Sequence, residues 1–132
     1  MSATAIPGAR PVADTALPAA ILGLSMMQAQ DGDMVPTIWQ NACVLVRPAH
    51  AYSRPGIYLI RDAERPRLVR VTGSGANVAE LAPDRVRVTV DSGCRPPQEM
   101  PRTAFDALAL ATVGAVLNVC SWDALFGEGA RP

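Results

Sequence analysis

Few residues in this chain are equipped for chemistry, and their types set limits at once. All twelve basic residues are arginines. Without a lysine, Schiff-base formation, a lysine general base and a phosphate-loop lysine are excluded. The single histidine, His50, lies in the proline-flanked stretch RPAHAYSRP, with Ser53 close behind it. Nucleophilic catalysis needs a hydroxyl, a base within reach and a group that orients the base. No motif around His50 supplies the third, so it reads as a surface histidine. Gly73-Ser74-Gly75 lacks the lysine and the following helix of a phosphate-binding loop and reads as a hairpin turn. Cys43, Cys94 and Cys120 form no CxxC pair, and two of them sit in apolar runs. They read as buried, reduced thiols of a cytosolic protein. With one histidine and no paired cysteines, neither a metal nor a cofactor is expected.

Twelve acidic residues balance the twelve arginines and no run of like charge occurs, which argues against direct nucleic-acid binding. Residues 17–27, LPAAILGLSMM, have the length of a signal-peptide core but a weak basic flank, and no apolar run reaches the ~18 residues of a membrane span. A cytoplasmic location is the expectation.

The elements that must position these residues are mostly strands. Residues 1–24, rich in Ala, Pro and Thr, read as a flexible arm. Residues 25–122 read as one domain and 123–132 as a tail. CVLV (43–46), GIYLIRD (56–62) and RLVRVT (67–72) carry strand signals, as does NVAEL (77–81) after the glycine turn. In DRVRVTVD (84–91), Val86, Val88 and Val90 alternate with Arg85, Arg87 and Thr89, the pattern of a half-buried antiparallel strand. The arginine face reads as solvated. The prolines of GCRPPQEMP (93–101) argue against a ladder there. A short helical turn is expected within 103–111 and a last strand over 112–122. The fold class is mainly β, with several short antiparallel strands and little helix.

One loop carries a further pattern. Asp31-Gly32-Asp33-Met34-Val35-Pro36-Thr37, followed by Gln40-Asn41-Ala42-Cys43-Val44-Leu45-Val46, resembles the G-D-S-M-x-P-T and G-D-x-V-L-V segments of the LexA/UmuD family of self-cleaving serine peptidases. Gly56-Ile57-Tyr58-Leu59-Ile60-Arg61 is similar to the family's G-x-Y-x-x-R, and Val69-Arg70-Val71 to its V-K-R strand. Residues 90–97, VDSGCRPP, resemble its S-D-N-x-x-Y-P-P segment, and Val113-Gly114-Ala115-Val116 its closing strand. The resemblance spans about residues 25–120.

It implies a LexA/signal-peptidase-like β fold of short, strongly bent antiparallel sheets with little helix, in which a serine, activated by a neutral lysine, cuts an Ala-Gly or Cys-Gly bond in its own arm. This chain departs from that chemistry at three points. Asp33 stands at the serine position and Arg70 at the lysine position, and no glycine follows Ala or Cys. A guanidinium keeps its proton at any ordinary pH and cannot serve as general base. If the fold keeps the two positions adjacent, Asp33 and Arg70 are expected to pair in place of the dyad.

The sequence therefore reads as a non-catalytic member of that family, with Met34, Pro36 and Thr37 as candidate binding residues in the cleft loop. The resemblance implies a homodimer through the carboxy-terminal strand, with Val113, Val116, Val119 and Trp122 as its candidate residues. The expected role is regulatory, with a protein partner such as a DNA-binding regulator. The alternatives are a UmuD-like accessory subunit of a DNA-repair polymerase, and an active peptidase with an unorthodox site around Asp33, Ser53 or His50.

Overall fold

The computed structural model describes residues 6–11, 24–63, 65–73 and 81–117. Their eight strands are β1 (Ala9–Pro11), β2 (Ser25–Gln28), β3 (Cys43–Pro48), β4 (Gly56–Ile60), β5 (Arg67–Gly73), β6 (Arg85–Thr89), β7 (Gln98–Pro101) and β8 (Ala109–Leu117), with one helix, α1 (Arg102–Leu108), before β8. They form one sheet in the order β1-β2-β3-β8-β4-β5-β6-β7. Every pairing is antiparallel.

The mainly β class is what the alternating runs predict, and the described strands join in a single bent sheet. Its central strand is the last to be made: β8 lies between β3 and β4, with Val44 opposite Val116 and Tyr58 opposite Thr112. Both pairings shift register, between Leu45 and Val46 and between Leu59 and Ile60. Such irregularities sharpen the local bend and twist. The sheet curls far enough that the Ser92 amide, just beyond β6, donates to the Asp33 carbonyl in the β2–β3 loop at 3.0 Å.

The core fills the inside of that curl. Val44, Val46, Leu59, Val69, Val71 and Val86 are fully buried in one cluster with Phe105 of α1. Val86, Val88 and Val90 all point inward as their alternation predicts, while Arg85, Arg87 and Thr89 are partly exposed.

Four elements differ from the sequence expectation. Gln98–Pro101 is a strand after all: Pro96 and Pro97 precede it, and β7 is an edge strand paired with β6 alone, so Pro101 at its end breaks no second ladder. The last strand starts at Ala109, directly after α1, whose Cα trace turns extended at that residue. Within the amino-terminal arm, Ala9–Pro11 pairs with β2 at the other sheet edge. Neither β1 nor β2 carries a clean alternation, so pairing decides them and local pattern does not. The remainder of residues 1–24, Ser74 and Gly75 of the glycine turn, residues 77–80 of NVAEL, and residues 118–132 lie outside the described residues.

Candidate functional site

The loop between β2 and β3 is built as a compact turn on two apolar anchors. Met34 and Ile38 are buried, and the Ile38 amide donates to the Met34 carbonyl at 2.8 Å. Upstream, the Asp31 carboxylate accepts from the Asp33 amide at 3.0 Å, the local side-chain-to-backbone bond that aspartate favours in turns. The Val35–Pro36 peptide is cis. This scaffold directs the Asp33 side chain toward the turn that follows β6.

Asp33 and Arg70 do not pair with each other. The Asp33 carboxylate accepts from Arg95 Nε at 2.9 Å and from the Cys94 thiol at 3.3 Å. Arg70 instead forms a two-pronged pair with Asp91, Nε to Oδ1 and a terminal nitrogen to Oδ2, both at 2.7 Å. The reason lies in the register. Arg70 on β5 stands opposite Thr89 on β6, and Asp91, two residues further on, occupies the diagonal position that a long side chain reaches. The Thr37 hydroxyl donates to the same Asp91 carboxylate. Two aspartate–arginine pairs thus stitch the β2–β3 loop, β5 and the 91–95 turn together, and Asp33 and Arg70 each belong to a different pair.

The electrostatics follow. Arg70's hydrogen bonds hold the Asp91 carboxyl below its ordinary range against the opposing effect of burial, with Thr37 and the charge of Arg70 adding to it. Burial alone pushes Asp33 up, but the hydrogen bonds from Arg95 and Cys94 and the charges of Arg95 and Arg67 outweigh it and bring the carboxyl down. Asp91 in turn raises Arg70 above the ordinary guanidinium value. At neutral pH the cluster holds two carboxylates, each already engaged by an arginine, and two guanidinium ions, which cannot accept a proton.

The other candidates are scattered. His50 Nδ1 lies 3.3 Å from the Ala109 carbonyl, and the Ser53 hydroxyl lies 3.4 Å from that of Tyr58. Each has its own partner, so the structure does not join them as a base and nucleophile. Met34, expected in the cleft, is only 2% exposed and serves as core, whereas Pro36 is exposed and Thr37 is partly so. Val113 and Val116 are partly buried against the core. Val119 and Trp122 lie outside the described residues.

The cysteine reading needs correction. Cys43 is buried but disulfide-bonded, and Cys94 is free but exposed. Cys120 lies outside the described residues. Sequence spacing cannot reveal a cross-link that depends on how closely the fold brings two Cα atoms together. No group of three or more His, Cys, Asp or Glu side chains suited to a metal occurs among the described residues. No helix among them is long and apolar enough to cross a membrane.

Sequence reasoning missed Asp91 and Arg95 as members of the site. Both lie in the VDSGCRPP segment, and the signal available was the placement of opposite charges on segments that a curled sheet brings together. Compared with protein-family models, curated proteins and solved structures, the chain matches none.

Proposed function

We propose that this chain is a non-catalytic regulatory protein with a LexA/UmuD peptidase-like fold, acting by homodimerisation and by binding a protein partner in bacterial or phage transcription regulation or stress response. The observation that carries this reading is the Arg70–Asp91 pair. It occupies the position of the family's general base with a guanidinium fixed by two 2.7 Å hydrogen bonds, a group with no lone pair to accept a proton. Asp33, at the nucleophile position, is likewise engaged by Arg95. Support for a dimer comes from β8: beyond Thr112 its described pairings are with β3 alone, and Leu117 is among the exposed large hydrophobic residues.

The reading carries a cytoplasmic location with it. The Cys43 disulfide counts against that location, because cytosolic thiols are held reduced.

The test is affinity purification of the tagged protein from its native host, with and without DNA damage, followed by mass spectrometry. Recovery of a DNA-binding regulator is expected, whereas a polymerase subunit would favour the accessory-subunit alternative. A parallel fluorophosphonate label should modify no serine. A single labelled serine would overturn the non-catalytic reading.

A further inference from the structure

The arginines of the charged seam differ in how completely their donors are used. Arg70 gives Nε and a terminal nitrogen to one carboxylate, and Arg87 does the same with Glu99. Arg67 and Arg95 are different. Each bonds an aspartate through Nε alone, Arg67 to Asp62 at 3.1 Å and Arg95 to Asp33 at 2.9 Å. Among the described residues, no hydrogen bond occupies the terminal nitrogens of either. A guanidinium carries five N–H donors in a fixed fork, so four remain on each side chain.

These two arginines line the same cavity. It has a volume of about 150 Å³ and lies beside β6, where Thr89 and Gln98 also line it. The Thr89 hydroxyl and the Gln98 amide have no hydrogen-bond partner among the described residues. The cavity therefore gathers two open guanidinium forks, a hydroxyl and a carboxamide.

We infer that this cavity is a binding site for an oxyanion group, a carboxylate or a phosphate, held between the terminal nitrogens of Arg67 and Arg95. Planar forks match the paired oxygens of such groups, and charge-assisted bonds of this type are the strong ones. Asp33 and Asp62, bonded to the Nε of the two arginines, offset their charge, so affinity comes from directed donors more than from net field. The expected strength is millimolar for a free ion. An acidic or phosphorylated side chain presented by a larger ligand would add contacts of its own. The site adjoins Asp33 through Arg95, but Arg70 does not line it.

The test is an NMR titration of the full chain, labelled with ¹⁵N, using sodium acetate and inorganic phosphate in separate arms and sodium chloride at matched ionic strength as the control. Saturable shifts at the Arg67 and Arg95 Nε–H and the Gln98 side-chain amide are expected in at least one oxyanion arm. The arm that responds at lower concentration identifies the preferred source. In Arg67→Gln/Arg95→Gln the apparent affinity should fall at least tenfold. Arg95→Gln alone, at a half-exposed side chain, provides a folded variant in which the affinity should also fall. The inference is overturned if neither oxyanion shifts these signals beyond chloride, or if Arg95→Gln leaves the titration unchanged.

Discussion

Two regions hold the curled sheet together by opposite means. At one, the β2–β3 loop, β5 and the 91–95 turn are joined by aspartate–arginine pairs whose arginines are substantially exposed, 38% for Arg70 and 51% for Arg95. At the other, beneath α1, three aromatic rings close on one another. Phe105 meets Tyr58 edge-on with centroids 5.2 Å apart and Tyr52 at 6.3 Å. The Tyr58 hydroxyl donates to the Arg54 carbonyl at 2.9 Å and accepts from the Ser53 amide at 3.1 Å, fixing the loop before β4. The Tyr52 hydroxyl accepts from the Gly73 amide at 2.8 Å, and Arg102 lies over its ring. The first region is polar, partly wet and open to exchange of partners. The second is built on two fully buried rings, Tyr58 and Phe105, with Tyr52 partly exposed at its margin. The proposed binding falls in the first region, while the aromatic packing of the second serves stability.

Substitutions can break that contrast in order of size. Phe105→Ala removes the keystone of the aromatic node and should cost roughly 3–5 kcal/mol, read as a shift of the denaturant midpoint at unchanged slope. Gly73→Ala comes next. A Cβ there would meet the Tyr52 hydroxyl at 2.8 Å, and overpacking of this kind costs about 1–3 kcal/mol. If Gly73→Ala is neutral while Phe105→Ala is severe, Tyr52 swings aside and only the Tyr58–Phe105 contact is rigid.

At the charged region, Asp91→Asn should cost about 1–2 kcal/mol, the lower part of the range for hydrogen bonds to charged groups, because Arg70 is partly solvated. The pH dependence has a definite sign. Asp91 titrates lower in the folded chain than in the unfolded one, so its contribution is present above the ordinary carboxylate range and disappears as pH falls through the folded value. Wild-type stability should drop below about pH 4, and that drop should shrink in Asp91→Asn, as followed by denaturation at a series of pH values. The smallest effect belongs to Arg95→Gln, a slight loss of stability that shrinks further at high salt. A larger cost would mean that the outer pair is structural and not exchangeable.

The sequence was most informative where one strand face had to be buried. The alternation of Val86, Val88 and Val90 determines its element because a slip of one residue would turn that set outward, and the apolar run from Cys43 to Val46 does so because all four residues are buried. Short edge strands such as β1 and β7 lack that constraint. They exist because a neighbour offers a ladder. The site was half legible. Asp33 and Arg70 do lie on adjoining segments, but their partners depend on a diagonal across β5 and β6 and on the reach of the 91–95 turn, which linear spacing does not encode.

The central place of β8 has a consequence for how the protein is made. β3 and β4 are not neighbours in the sheet until β8 enters between them, with Cys43 against Leu117 and Ile60 against Ala109. The two halves of the sheet can therefore be joined only after the ribosome has released the chain through residue 117. Until then the nascent protein carries unpaired strand edges, the exposure that invites aggregation and chaperone capture. A topology dominated by such distant pairings also folds slowly, in milliseconds to seconds. Synthesis arrested before β8 should yield a protease-sensitive chain and not a smaller folded unit.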